Sequence, residues 1–381
     1  MPAVDLRSDP VLERIAGTIR EGLSVAEPGP DGTSAQAALA DMDGFAFAAA
    51  IDLGGFDLGL SCGVTISLEL GRRALPDVYT GGMLVVDALA EAGDDAPGAD
   101  IAAAVVAGKQ VVVAAGLDLV CRPTAGRARL EEDAWRPSGV LTVEDVQPDQ
   151  ACCAAFRTEE ADGEVLLAVL PASVWRPPAG RAFPWSGPVE SPASLPLDRV
   201  TVTSGQVVGG LGTGSPLSDP AGLLARHRVR QAGYLLGLGL GAHALAVTHT
   251  ANRRQFDRFV LDNQAVAFPL AKAKIDLEAA RLLVYRAAWQ ADAGEPFARE
   301  AAEALAWTAE VALRTIRISV QAHGARGLTL GAPVHRFFEV IRSAATRLGP
   351  PGALWQEAGR HRLAAVHSAA VDSDVAVERQ S

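Results

Sequence analysis

Residues 253–289 read RRQFDRFVLDNQAVAFPLAKAKIDLEAARLLVYRAAW, and this stretch decides the fold. From about Asp262 to Asp292 the apolar residues return at helical spacing. Ile275, Ala279, Leu282 and Trp289 fall on one stripe, with Lys272, Asp276 and Glu278 off it. That pattern predicts a helix of ~30 residues, far longer than an average globular helix. Upstream, Asp219 is a natural N-cap with Pro220 at the first helical position, so a second long helix is predicted from there to about Asn252. Downstream, a third is predicted from Glu295-Pro296, carrying Leu305, Ala309, Ala312, Ile316 and Val320 and ending at Gly324. A fourth covers 333–347 and is stopped by Gly349-Pro350-Pro351. Long helices on short loops pack as an antiparallel four-helix bundle.

Working outward, residues 1–108 also read as helical, with Val11, Ile15 and Ile19 spaced for one face after Pro10. Residues 109–204 change character. KQVVVAAG, GVLTVEDV, GEVLLAVL and LDRVTVTS are short β-branched runs separated by Pro, Gly and Asp, the mark of a small β-barrel-like domain. The expectation is therefore an α+β chain. Its N-terminal helical domain is 1–108, its middle β domain 109–204, its bundle 216–366, and its tail 367–381 is expected to be disordered.

A net charge of -11 argues against nucleic acid or an anionic membrane as the main partner. LLGLGLGAHALAV (235–247) is too short for a membrane span and reads as a buried helix segment. Cys62, Cys121, Cys152 and Cys153 lack zinc-ligand spacing, so no metal is expected and the thiols read as reduced. The start MPAVDLRSDPVLERI has no basic-then-apolar pattern, and a cytoplasmic protein is expected.

Helices, then a β domain, then a bundle is the order of acyl-CoA dehydrogenases, and the chain resembles that family from about residue 39 to 365. LGGFDLGLSCGVTISLELGRR (53–73) is similar to the family's Gly-Gly, Leu-Gly-Leu and Glu-Leu-Gly-Arg pattern. Arg253 and Phe256 resemble its Arg-x-x-Phe, Gln264 the glutamine that follows, and QAHGARGLT (321–329) its Gln-x-x-Gly-Gly-x-Gly segment. The resemblance implies FAD held by Arg253, Phe256, Gln264, Gln321, Gly324 and Gly327, and an acyl-CoA substrate oxidised to its 2,3-enoyl thioester. GGLGTG (209–214) lacks the full spacing of a dinucleotide fingerprint.

The family's catalytic glutamate is missing from both of its places. The loop position holds Leu348, and the bundle-helix position holds His227, just before Arg228. His227 is the candidate base, with Arg228 beside it, because an imidazole can take a proton near neutral pH and a leucine cannot. The strand that normally reads Thr-Glu-Pro is here Val112-Val113-Ala114-Ala115-Gly116-Leu117-Asp118. In this family the β domain and glutamate serve the chain's own flavin, while the arginine turn and the glycine-rich helix end reach a neighbour's. This chain keeps the second set and loses the first. The resemblance thus implies a base-less subunit of a dimer or tetramer, partnered by a homologous subunit that carries the glutamate. A self-sufficient flavoenzyme using another base, and a flavin-free scaffold, are the alternatives.

Overall fold

A computed structural model describes residues 10–27, 32–92, 98–117, 126–143, 150–159, 165–171, 173, 193–209, 217 and 219–378. The chain opens with α1 (Pro10–Gly22), α2 (Thr33–Ala40), α3 (Gly59–Arg72), α4 (Thr80–Ala92) and α5 (Ala99–Val106). The β region holds β1 (Val112–Ala115), β2 (Arg127–Glu131), β3 (Ala134–Ser138), β4 (Val140–Val143), β5 (Ala151–Thr158), β6 (Val165–Leu170), β7 (Ala193–Pro196), β8 (Val202–Thr203) and β9 (Val207–Gly209). The bundle follows as α6 (Pro220–Asn252), the hairpin β10 (Arg254–Gln255) and β11 (Arg258–Phe259), α7 (Gln264–Asp292), α8 (Ala298–His323), α9 (Pro333–Ala344) and α10 (Pro351–Glu378).

The N-terminal helices share one apolar core with the bundle. Leu60, Val64, Leu70, Tyr79 and Leu84 join Val229, Tyr234, Leu238, Ala309 and Ile316 in one cluster. The sequence boundary at 108 thus marks entry into the sheet rather than the edge of a separate core. The contact between α3 and α6 explains the glycines of GYLLGLGLGA. A Cβ on Gly237 would sit 1.9 Å from the Leu68 carbonyl oxygen, and one on Gly241 2.3 Å from that of Arg72. Any side chain there would push the two backbones apart.

Strand order in the main sheet is β8-β3-β2-β5-β6-β9, with β1 parallel to β5 and pairing Val112 with Ala151. A β4–β7 ribbon pairs separately. Together they enclose a second core of Trp135, Leu141, Phe156, Leu166, Leu170 and Val202. The four runs read from sequence contribute β1, β4, β6 and β8. Residues 144–146 of the second run, Asp118 and Cys121 lie outside the described residues. Cys62, Cys152 and Cys153 are free and buried.

Two expectations about the C-terminus are corrected. The Gly349-Pro350-Pro351 stop does end the short α9 segment, but Pro351 then opens α10, since proline at a first helical position forfeits no hydrogen bond. The tail expected to be disordered from 367 is helical through Glu378. The apolar stripe on α7 is also not the face that packs inward. Leu270, Ala273, Leu277, Ala280, Val284 and Ala287 are buried, whereas Ile275, Leu282 and Trp289 are 68%, 44% and 39% exposed. The helix therefore carries two apolar faces. Among the described residues, no helix is long and apolar enough to cross a membrane.

Candidate functional site

The end of the bundle opens into a cleft of about 920 Å³. Its walls come from the C-terminus of α6, the loop and first turns of α7, and the last turn of α8 with the 3-10 turn Gly324–Leu328 that follows. Arg253, Gln321 and Gly324 line it together. Gly324 has φ +63° and ψ −149°, a conformation open essentially to glycine alone. Gly327 is buried behind the wall, where a Cβ would meet both His323 Cβ and the Val320 carbonyl at 2.9 Å. Gln264 stands exposed at the start of α7, next to the lining residues Ala265 and Val266. Phe256 is 93% exposed at the tip of the β10–β11 hairpin. Phe256 and Asp257 both take positive φ there, 52° and 61°, which closes a two-residue turn. The Arg254 guanidinium lies 4.9 Å from the centroid of the Phe259 ring and braces the hairpin.

Four lining residues were not singled out from sequence: Arg317, Arg326, His249 and His323. For Arg317 a local clue was present, since it precedes Gln321 by four residues, about one helical turn. His249 lies far away in sequence, and only the fold stacks its ring on His323, with centroids 4.4 Å apart. Burial, then His323, Arg253 and Arg326, hold the His249 imidazole below its ordinary value and so favour its neutral form. Arg253, Arg317 and Arg326 make no ion pair among the described residues, and no carboxylate lines the cleft. Three uncompensated guanidiniums beside a glycine turn fit a diphosphate group.

The expected base fares differently. His227 is 3% exposed, with no hydrogen-bond partner for Nδ1. Its pKa is pushed down to about 3, first by burial and then by Arg230 and Arg347. A hydrogen bond to the Thr80 backbone opposes the shift only in part. An imidazole that weakly basic would not hold a substrate proton near neutrality, and its burial speaks against the role of base expected for His227. Arg228 is no free catalytic cation either. It is 2% exposed and grips Glu357 of α10 through both terminal nitrogens, at 2.6 and 2.9 Å. Leu348 is 4% exposed and belongs to the main core.

The folded-state pKa of His227 lies below the unfolded value of about 6.5, so its neutral burial stabilises the fold at high pH. That stabilisation is lost as pH falls from about 6.5 toward about 3. Between pH 7 and 5 the wild-type chain should lose about 2 kcal/mol more stability than His227→Gln. Urea midpoints at the two pH values measure this, and parallel losses in both proteins would refute it.

A family profile described as the acyl-CoA dehydrogenase C-terminal domain matches residues 220–360. The bundle is thus similar to the C-terminal domain of acyl-CoA dehydrogenases. It is 34% identical over 148 residues to the short/branched chain specific acyl-CoA dehydrogenase of Rattus norvegicus mitochondria, covering 39% of this chain and 34% of that enzyme. It is 32% identical over 146 residues to a 3-(aryl)acrylate reductase of Clostridium sporogenes, covering 38% of each. The aligned sequence thus spans little more than a third of these relatives. The fold extends further. The ChsE4-ChsE5 complex of Mycobacterium tuberculosis superposes with a TM-score of 0.77 at 22% identity, over 94% of this chain and 99% of that one. The acyl-CoA dehydrogenase fold therefore extends over nearly the whole chain, while the family profile matches the bundle.

Proposed function

We propose that this chain is the base-less subunit of a heteromeric acyl-CoA dehydrogenase and lends its bundle cleft to the FAD of a homologous subunit. The carrying observation is that Arg253, Gln321 and Gly324 line a cationic cleft whose described walls are bundle residues. Among the described residues, none of its wall comes from the chain's own β region, the part that would cradle a flavin of the same chain. The described residues of that sheet edge, Val112–Ala115 with Gly116 and Leu117, have no polar side chain to offer a cofactor. Both glutamate positions are spent on a core leucine and a buried neutral histidine.

On this reading FAD, when bound, supplies the hydride acceptor for α,β-dehydrogenation of an acyl-CoA thioester, and the partner supplies the carboxylate that removes the α proton. The residues of this chain bind and orient. Arg253, Arg317 and Arg326 neutralise the diphosphate, and Gly324 lets backbone approach it. The exposed hairpin carries Phe256 outward to a surface that the chain alone leaves bare. Phe268, Ile275, Leu282 and Trp289 recur every seven residues along the outer face of α7 and support assembly as a dimer or tetramer. The buried free thiols suit a reducing cytoplasm. A resemblance in fold to the ChsE4-ChsE5 complex is in keeping with a two-chain assembly.

The test is co-expression with an adjoining acyl-CoA dehydrogenase homologue that retains the glutamate. About one flavin for every two chains is expected, with the lone chain colourless. A lone chain that purifies with one flavin each and oxidises acyl-CoA would overturn the proposal.

A further inference from the structure

The cationic cleft holds two titratable rings that charge neutralisation by the arginines leaves without a task. His249 of α6 and His323 of α8 both line it, and their rings stack with centroids 4.4 Å apart and planes 21° apart. His323 is anchored. Its Nδ1 lies 2.7 Å from the Ser319 carbonyl oxygen, which can only accept, so in the neutral ring Nδ1 carries the hydrogen and Nε2 the lone pair. Nε2 bonds no described residue and is not buried. A proton added to this ring therefore goes to Nε2 and turns an acceptor at the cleft wall into a charged donor.

The charges on each wall decide when that happens. α6 contributes Arg253 beside His249, α8 contributes Arg317, and the turn after α8 contributes Arg326. Among the described residues, α7 and the hairpin add only uncharged groups. Three guanidiniums without a carboxylate disfavour a fourth positive charge in the empty cleft. The effect shows on His249, which burial first and then His323, Arg253 and Arg326 hold below its ordinary value. Two stacked imidazoliums would repel each other, so the pair takes one proton rather than two. His323 is the ring that uses it best, because both of its N–H groups then have acceptors, Ser319 and the ligand. A diphosphate offsets the guanidiniums and offers an oxygen to Nε2–H. Anion and proton then bind together, each raising the affinity for the other by the same factor.

We propose that the His249–His323 stack makes the cleft a proton-linked anion site, in which a diphosphate binds together with one proton and the Nε2–H of His323 joins the arginines as a donor. The inference rests on the reading of the cleft as a diphosphate site and adds to it a dependence on pH.

The experiment is isothermal titration of the full chain, without flavin, with the symmetric diethyl diester of diphosphate, whose own charge is the same at every pH used. Affinity should be about tenfold higher at pH 6 than at pH 8. Titrations at pH 7 in two buffers of different ionisation enthalpy should show protons taken up on binding. His323→Gln keeps an N–H but cannot titrate. It should bind at pH 8 as the wild type does and gain nothing at pH 6, whereas a merely structural role for His323 would lower affinity at both. Should that variant fail to fold, proton uptake by the wild type decides alone. Equal affinity at the two pH values with no proton uptake would overturn the linkage and leave the diphosphate reading standing. Absence of binding at both would overturn the two together. Undiminished pH dependence in His323→Gln would place the proton elsewhere and defeat the proposal.

Discussion

Asp87→Ala should cost the fold about 3–5 kcal/mol, because it leaves a buried guanidinium without its counter-ion. Asp87 on α4 holds Arg230 of α6 through two contacts of 2.5 and 3.1 Å. Arg230 is 1% exposed and Asp87 12%. Tyr79 lies in the same buried neighbourhood with an unpaired hydroxyl, Arg230 Nε is unpaired too, and the other carboxylate acting on Arg230, Asp292, contributes less than Asp87 and is engaged with the start of α3. The pair ties the N-terminal helices to the bundle three residues from His227. The size of the loss does not measure what the pair contributes. Much of it is the penalty of an orphaned charge, and a hydrophobic replacement of both partners is often neutral. The double variant Asp87→Ala, Arg230→Met should therefore be more stable than Asp87→Ala alone, since methionine also removes the unpaired Nε. Urea unfolding of the four proteins of the cycle decides the matter. A single-variant loss under about 1 kcal/mol, or a double variant worse than either single, would contradict this account.

How much of this was legible in the sequence depended on whether the signal was local. The starts of α6 and α8 and the end of α8 were, since Asp219 caps through a 2.8 Å bond to the Gly222 amide and Gly324 sits where only glycine fits. The core of the sheet was not. β5 reads ACCAAFRT, with few residues that favour strands, and seven of its eight residues are buried, so it shows neither β-branching nor alternation. What makes it a strand is its neighbours: β1 and β2 on one edge and β6 on the other. On α7 the periodicity was legible, but not which of its apolar faces the chain itself covers. A stripe at helical spacing does not say which of two apolar faces a single chain covers, and Ile275, Leu282 and Trp289 lie on the uncovered one. In the cleft, Arg253, Gln321 and Gly324 were reached through family likeness, whereas His249 and Arg326 needed the folded bundle. Glu357 escaped notice because Pro350-Pro351 read as an end, although the same proline begins the helix that delivers the carboxylate to Arg228.

Replacing Arg253 with alanine in the two-chain complex should weaken flavin binding by about ten- to a hundredfold. The arithmetic rests on a charge-assisted contact to a diphosphate, worth roughly 1.5–3 kcal/mol, with each 1.4 kcal/mol equal to a factor of ten. Arg253 is the strongest choice among the three cleft cations. It caps the C-terminus of α6, its backbone amide bonds the His249 carbonyl at 2.9 Å, and its own carbonyl accepts from the Val260 amide at 2.8 Å. Its side chain is thus launched from a fixed backbone, which limits the entropy lost on binding. Arg317 and Arg326 remain in the variant, so the general positive field persists. A modest loss shared equally by Arg253→Ala, Arg317→Ala and Arg326→Ala would mean the cleft acts as a diffuse cationic surface. The reading advanced here requires Arg253→Ala to lose most, and Arg253→Glu to lose more again. The loss should appear in flavin content and in turnover that depends on the partner's glutamate, while the two chains still co-purify. Added salt should narrow the gap between wild type and variant, because screening weakens the same contact in the wild type. Full flavin occupancy and full turnover with Arg253→Glu would show that this chain does not reach its partner's cofactor through the cleft.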